Sequence, residues 1–271
     1  MSFLENPASI VAAPETPVKG RISLVGAGPG AADLLTLRAI RCLQTADVVF
    51  YDRLVEPETL AFARPSAQRV FVGKEVGAHS WPQERIDAAI VAAALQGLHV
   101  VRLKSGDPSI FGRASEEIAA ARAHGIAVEI IPGITAASAA AASLCHPLTE
   151  RGITDRVVLA TATCRPGDAM SDLQDIARPG TTLVFYMAMQ QLAHLSDQLT
   201  AAGVQPDQPV AIASNVSRQN AQTLDTTVRN MAADCATASL SNPAVIMIRL
   251  PKSGLFQQTL LQASVLVAQG L

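Results

Sequence analysis

The residues best equipped for chemistry lie at 102–113, Arg-Leu-Lys-Ser-Gly-Asp-Pro-Ser-Ile-Phe-Gly-Arg. They grow out of a largely apolar run, 98–103, that reads as a buried strand, and they break into a polar turn at Gly106-Asp107-Pro108. Open α/β sheets bind ligands in loops at the carboxyl ends of their strands. Gly106 permits close backbone approach, Asp107 can cap the turn or meet a ligand cation, and Pro108 stiffens it. Arg113, Glu116 and Glu117 follow where a helix should begin. An ordinary turn capped by Asp107 would use the same residues without a ligand, so the segment must be weighed with others.

A second loop of this kind is Gly26-Ala27-Gly28-Pro29-Gly30-Ala31, which satisfies a relaxed G-x-G-x-x-G/A pattern after a strand. Asp52 ends the next strand, near the position of a ribose-binding acid. Taken alone, the pair admits an NAD-dependent oxidoreductase. Pro29 speaks against it, because it removes an N–H that could have met a pyrophosphate. The five histidines show no metal-ligand spacing, so no metal is expected. The cysteines Cys42, Cys145, Cys164 and Cys235 form no C-x-x-C pair, which fits a reducing cytoplasm better than a disulfide framework.

The elements that must position these loops alternate in kind. Strands are expected at 21–25, 48–51, 70–72, 98–103 and 128–131. Helices are expected after Asp33, which is placed to act as an N-cap, across Ile86, Ala89, Ile90 and Ala93, and from Arg113 to about Gly125. Alternation of this kind implies an α/β domain with a parallel sheet over 20–132. Pro132-Gly133 opens a second α/β domain over 133–252. It begins with an Ala/Ser-rich helix at 134–145. Strands follow near 156–161, 181–186, 209–213, 221–226 and 244–249, with antiparallel pairing near the end, and helices near 171–177 and 190–202. Residues 1–19 and 253–271 read as tails, the latter with a short amphipathic helix.

Composition narrows the function. Of 271 residues, 49% are apolar and 16% charged, enough for a substantial core. The net charge of −2 offers no global basic field for nucleic acid or an anionic membrane. No apolar run approaches the ~20 residues that span a bilayer, and the first 18 residues lack the basic start and apolar centre of a signal peptide.

Several ordered motifs together resemble the tetrapyrrole (precorrin) methylase family, and within it the uroporphyrinogen-III C-methyltransferases. They are Leu24-Val25-Gly26-Ala27-Gly28-Pro29-Gly30, Leu34-Leu35-Thr36-Leu37-Arg38-Ala39, Ala46-Asp47-Val48-Val49, Tyr51-Asp52-Arg53-Leu54-Val55, Gly73-Lys74 and Pro82-Gln83-Glu84. Further on stand Val101-Arg102-Leu103-Lys104, Gly106-Asp107-Pro108, Ile110-Phe111-Gly112-Arg113, Pro132-Gly133-Ile134-Thr135 and Pro147-Leu148-Thr149. The resemblance runs from about Gly20 to Leu250.

The resemblance implies two α/β domains with S-adenosylmethionine in the cleft between them, a homodimer, and methylation of uroporphyrinogen III at C2 and C7 to precorrin-2, for sirohaem, cobalamin or haem d1. A methylase of a later precorrin is the nearest alternative. By motif position, cofactor contacts fall on Pro29, Ser105, Gly106, Asp107, Ile110, Thr135, Ala136, Met187 and Val216. The proton acceptor and donor fall on Asp52 and Lys74, and substrate handling on Arg113, Glu116 and Arg151. The types suit the chemistry: a carboxylate can take the proton lost after methyl transfer, and Arg forks pair with carboxylates of a polyanionic substrate. The chain departs from the family's usual residues at Ser105, Ser109, Ala114-Ser115, Ala162-Thr163 and Val216. The sequence ends soon after the stretch that resembles the family, so dehydrogenation and chelation are expected on another protein.

Overall fold

The computed structural model describes residues 19–73, 81–162 and 173–252. The first sheet contains β1 (Arg21–Gly26), β2 (Val48–Tyr51), β3 (Gln68–Phe71), β4 (His99–Lys104) and β5 (Ala127–Ile131). Its order is β3-β2-β4-β1-β5, and every pairing is parallel. Parallel neighbours require crossovers. They contain α1 (Leu37–Thr45), the short α2 (Pro57–Leu60), α3 (Gln83–Leu95) and α4 (Ala114–Ala123). On one face of the sheet Val25, Val49, Val101 and Leu103 pack with Ala39 and Leu43 of α1. On the other, Ile22, Leu24, Phe50 and Val100 pack with Ile86 and Ile90 of α3 and Ala121 of α4. Burial on both faces is why β1 and β4 lack an apolar/polar alternation.

The second sheet contains β6 (Arg156–Thr161), β7 (Thr181–Tyr186), β8 (Pro209–Ser214), β9 (Gln222–Thr227) and β10 (Ala244–Leu250), in the order β6-β7-β10-β8-β9. Only β6 and β7 are parallel; β10 runs antiparallel to β7 and β8, and β9 antiparallel to β8. The alanines of α5 (Ala136–Ser143) cover one face, against Val184, Ala211 and Met247. α6 (Leu173–Ile176), α7 (Leu192–Ala201) and α8 (Met231–Thr237) cover the other with Leu173, Leu195, Leu199 and Met231.

Most expected strands lie within two residues of those observed, and the antiparallel pairing of the second half is present. Three expectations need correction. Asp33 does not cap a helix; it lies in a 3-10 turn, Ala32–Leu34, and α1 opens after Thr36, whose hydroxyl accepts from the Ala39 N–H at 3.1 Å. Thr at the N-cap bonding the third helical N–H is the favoured arrangement. The third strand starts at Gln68, earlier than expected, and the short helices α2 and α8 carry too few residues to show a period. The expected tail helix lies outside the described residues, and of the helix expected near 171–177 only 173–176 is described as helical. Among the described residues no helix is long and apolar enough to cross a membrane.

Strand order decides between the readings of the glycine turn. In a dinucleotide-binding sheet of order 3-2-1-4, the strand ending in the ribose-binding acid lies beside the glycine strand. Here β4 lies between β1 and β2. Asp52 therefore does not adjoin the glycine turn, and the 102–113 loop does.

At the opposite end of β4, His99 is buried. Its Nδ1 lies 3.1 Å from the Thr45 carbonyl oxygen and 3.1 Å from the Arg21 guanidinium, and its Nε2 lies 3.0 Å from the Ser23 hydroxyl. Burial holds its pKa below the usual histidine value, helped by Arg21; the Thr45 hydrogen bond and the charges of Asp47 and Glu129 oppose this. The unfolded chain then binds more protons than the folded one just below the unfolded histidine value of ~6.5, so stability falls as pH falls through that window. Thermal unfolding followed from pH 7.5 to 5.5 should show a shallower loss of midpoint in His99→Gln than in the wild type.

Candidate functional site

The carboxyl ends of β1, β4 and β5 meet at three glycines. Gly28 and Gly106 exchange backbone hydrogen bonds, Gly106 N to Gly28 O at 2.7 Å and Gly28 N to Gly106 O at 3.2 Å. Gly133 lies against both loops: a Cβ there would stand 2.2 Å from Gly106 O and 2.8 Å from Gly26 Cα. No side chain fits at such distances. Gly106 also has φ +70°, a conformation that favours glycine. Asp107 locks the assembly, its Oδ1 accepting from Ser109 N at 2.8 Å and from the Ser109 hydroxyl, its Oδ2 from Gly133 N at 3.0 Å. Both carboxylate oxygens thus hold backbone. Of the two roles the sequence leaves open for Asp107, this is the capping one.

Above these loops the two halves of the chain enclose a cavity of 380 Å³, within the range of about 300–1,000 Å³ typical of small-molecule sites. All nine positions expected to contact cofactor line it: Pro29, Ser105, Gly106, Asp107, Ile110, Thr135, Ala136, Met187 and Val216. The first six lie in loops and turns that follow strands of the first sheet. Ala136 opens α5, and Met187 and Val216 follow β7 and β8. Met187 has φ +54°, and Asn215 and Ser217 on either side of Val216 have +50° and +63°. Such backbone in non-glycine residues gathers at ligand sites, where surrounding structure holds the strain.

The expected catalytic residues lie elsewhere. Asp52 follows β2, one oxygen accepting from Leu54 N at 3.0 Å and the other 3.4 Å from the Arg102 guanidinium. Arg102 and Lys104 alternate on the α3/α4 side of β4, and both reach Glu117, which is completely buried on α4. Arg102 Nε donates at 3.1 Å, and Lys104 Nζ donates to both oxygens at 2.8 Å. Burial, and next to it the charge of Arg102, pulls the Lys104 pKa down, while Glu117 opposes the shift. Arg113, at φ +54° before α4, grips Glu116 through Nε at 2.9 Å and through Nη2. That hydrogen bond raises the Arg113 pKa. Like any guanidinium, that of Arg113 stays protonated, so it presents a cation at the start of α4. Arg151 is exposed in the turn bridging Glu150 and Thr154. Lys74 lies outside the described residues. None of Asp52, Arg113, Glu116 and Arg151 lines the cavity.

Residues 21–232 match the model of the family described as Tetrapyrrole (Corrin/Porphyrin) Methylases. The chain belongs to that family. This tetrapyrrole methylase is 42% identical over 234 residues to the siroheme synthase of Nitrosospira multiformis, covering 86% of this chain and 50% of the relative. It is 46% identical over 211 residues to that of Zymomonas mobilis, covering 78% and 45%. The chain thus spans about half the length of the curated relatives it matches. Uroporphyrin-III C-methyltransferase from Thermus thermophilus, solved with S-adenyl homocysteine, superposes with a TM-score of 0.71 at 34% identity, over 85% of this chain and 92% of that one. A cobalt precorrin-4 methyltransferase gives 0.76 at 28% identity, over 84% and 94%. The NAD-dependent reading of the glycine turn is set aside by family and strand order together.

Sequence reasoning missed part of this methylase's cavity wall. Tyr186 ends β7, and its hydroxyl lies 2.6 Å from Thr135 Oγ1 and accepts from Ala137 N at 3.0 Å. The end of the second sheet is thereby tied to the start of α5. Phe111 packs against the Tyr186 ring in a tilted arrangement, centroids 5.0 Å apart and planes at 55°. Arg53, Leu54, Gln190, Asn242 and Pro243 also line the cavity. Phe111 and Leu54 stand inside quoted motifs, and Arg53 is a loop arginine of the kind that the sequence offers for pairing with substrate carboxylates. Tyr186 is simply the last residue of an apolar strand, and no local pattern distinguishes it.

Glu117→Gln should take from buried Lys104 the carboxylate it pairs with, leave Arg102 the longer contact to Asp52, and cost about 3–5 kcal/mol of folding stability. Urea unfolding of wild type and variant at neutral pH measures it.

Proposed function

We propose that this chain transfers methyl groups from S-adenosylmethionine to C2 and C7 of uroporphyrinogen III, giving precorrin-2. The observation that carries the reading is the cavity between the two halves that is walled by all nine motif-derived cofactor positions. The Thermus neighbour, of similar length and solved with the demethylated cofactor, supports it, as do the siroheme synthases that match this chain. The residues fit the group: a cavity of small-molecule size, tightly packed glycine backbone for close approach, and apolar Ile110, Ala136 and Val216 to exclude water.

S-adenosylmethionine supplies an electrophilic sulfonium methyl, which the electron-rich β-carbon of a reduced pyrrole attacks as the thioether leaves. The chain's part is chiefly alignment. Asp52 then takes the proton that the methylated ring must lose; it is fixed from one side by Leu54 N and from the other by Arg102. Lys74 is the complementary donor. Arg113 and Arg151 hold substrate carboxylates, and Glu116 sets the orientation of the Arg113 fork through its bidentate grip. The two domains are 20–132 and 133–252, the protein is cytoplasmic, and it works as a homodimer.

A methylase of a later precorrin is the second reading, favoured by the higher TM-score of the cobalt precorrin-4 methyltransferase. Sequence identity points the other way, 34% against 28%. Incubation with radiolabelled S-adenosylmethionine and uroporphyrinogen III should yield a doubly methylated product. Label entering only a later precorrin would favour the second reading, and no label in either would overturn both.

Asp52→Asn keeps the shape and removes the basicity. If Asp52 takes the proton, kcat should fall by roughly 10²–10⁴, with S-adenosylhomocysteine affinity close to wild type by calorimetry. A change of only a few-fold would leave Asp52 as a turn-capping carboxylate.

A further inference from the structure

One side chain of the second half reaches across to the first, beside the first glycine loop. Arg218, four residues beyond β8, is largely buried, with 14% of its side chain exposed. Its Nη2 donates to the Leu54 carbonyl at 2.7 Å, and its Nη1 lies 2.8 Å from the Glu56 carboxylate. The contact spans 164 positions of sequence. Room for it comes from the third glycine of the first loop: a Cβ on Gly30 would stand 2.8 Å from Arg218 Cγ and 3.1 Å from Ser217 O.

The strut joins two segments of the cavity wall: it bonds to Leu54, and it springs from the chain two residues after Val216. Leu54 lines the cavity from the first half and Val216 from the second. The Val216 loop is anchored at its base by Asn215 N to Pro243 O at 2.8 Å, and it closes with Arg218 N to Asn215 O at 3.0 Å. Asn215 and Ser217 both hold left-handed backbone. A strained loop needs outside contacts to keep its shape, and the Arg218 fork on Leu54 and Glu56 is such a contact. Leu54 in turn donates its N–H to Asp52 Oδ1 at 3.0 Å. Arg218 and Asp52 therefore hold the same residue, Arg218 at the Leu54 carbonyl and Asp52 at the Leu54 N–H.

We propose that Arg218 is a positioning residue that fastens the two walls of the cofactor cavity to each other and, through Leu54, sets the orientation of Asp52. The inference rests on the reading of this cavity as the S-adenosylmethionine site. A planar guanidinium meets the two acceptors from two nitrogens held in a fixed fork; an ammonium has all its donors on one nitrogen and cannot reproduce that spread.

The test is calorimetric titration of S-adenosylhomocysteine into wild type, Arg218→Met and Arg218→Lys, with the thermal midpoint of each ligand-free protein and kcat for methyl transfer. Methionine keeps most of the stem and removes every donor. Loss of these charge-assisted bonds should raise Kd about tenfold or more in Arg218→Met. Arg218→Lys should fall between, and kcat should drop in both variants. An unchanged Kd in Arg218→Met would overturn the proposal, and so would a lowered midpoint at unchanged Kd, which marks a merely structural strut. Should Arg218→Met fail to fold, Arg218→Lys decides on the same criterion. Failure of the wild type itself to bind would overturn the functional reading and the clamp together, whereas wild-type binding matched by both variants overturns the clamp alone.

Discussion

Everything at the site depends on three backbones approaching closer than side chains allow. Gly26 ends β1, Gly106 and Gly133 lie in the loops after β4 and β5, and a Cβ at Gly133 would fall 2.2 Å from a carbonyl oxygen of Gly106. Because these strands are adjacent and parallel, their carboxyl ends converge, and only glycine lets the loops interlock. The exchange between Gly28 and Gly106 and the Asp107 bond to Gly133 N then turn three flexible loops into one rigid floor. On that floor Ser105, Ile110 and Thr135 become neighbours in one wall. Residues scattered over a hundred positions of sequence become a site because the strand order β4-β1-β5 places their loops side by side.

Beneath the floor lies a balanced group of charges. Arg102, Lys104 and Glu117 are each 5% exposed or less, and Asp52 is the member nearest solvent. Ion pairs buried this deeply contribute little net stability, because desolvation offsets the attraction; losing one partner is what costs. What the arrangement gives is fixed geometry. One oxygen of Asp52 faces the turn at Leu54 and the other faces Arg102, so the carboxylate has little freedom to swing. The pairing of Arg113 with Glu116 achieves the same at the first turn of α4.

Much of this was legible in sequence, and the exceptions share a cause. Alternating strands and helices revealed the parallel sheet because each element carries its own period and its own stops. The loop at 102–113 announced itself through Gly106-Asp107-Pro108, whose backbone demands are local. The α1 cap was misplaced because Asp33 and Thr36 both suit an N-cap, and only the 3-10 turn between them shows which one the chain uses. Strand order, which separates a methylase from a dinucleotide fold around the same glycine turn, is set by tertiary packing and leaves no mark in a single strand. Tyr186 and Arg218 are invisible for the same reason: each acts on a partner in a distant segment, 51 and 164 positions away. The departures at Ser105 and Val216 now have a place, since both line the cavity, and Ser109 donates to the Asp107 carboxylate that ties the loops together.

The central claim is that the cavity above the glycine floor, walled by both halves of the chain, holds the methyl donor. A crystal structure of the protein grown with S-adenosylhomocysteine tests it most directly. The account predicts the ligand in that cavity, in contact with the 105–110 backbone and with Met187 and Val216, its sulfur directed toward the cleft that Asp52 overlooks. Density for the ligand at any other place, with the cavity filled only by solvent, would contradict it.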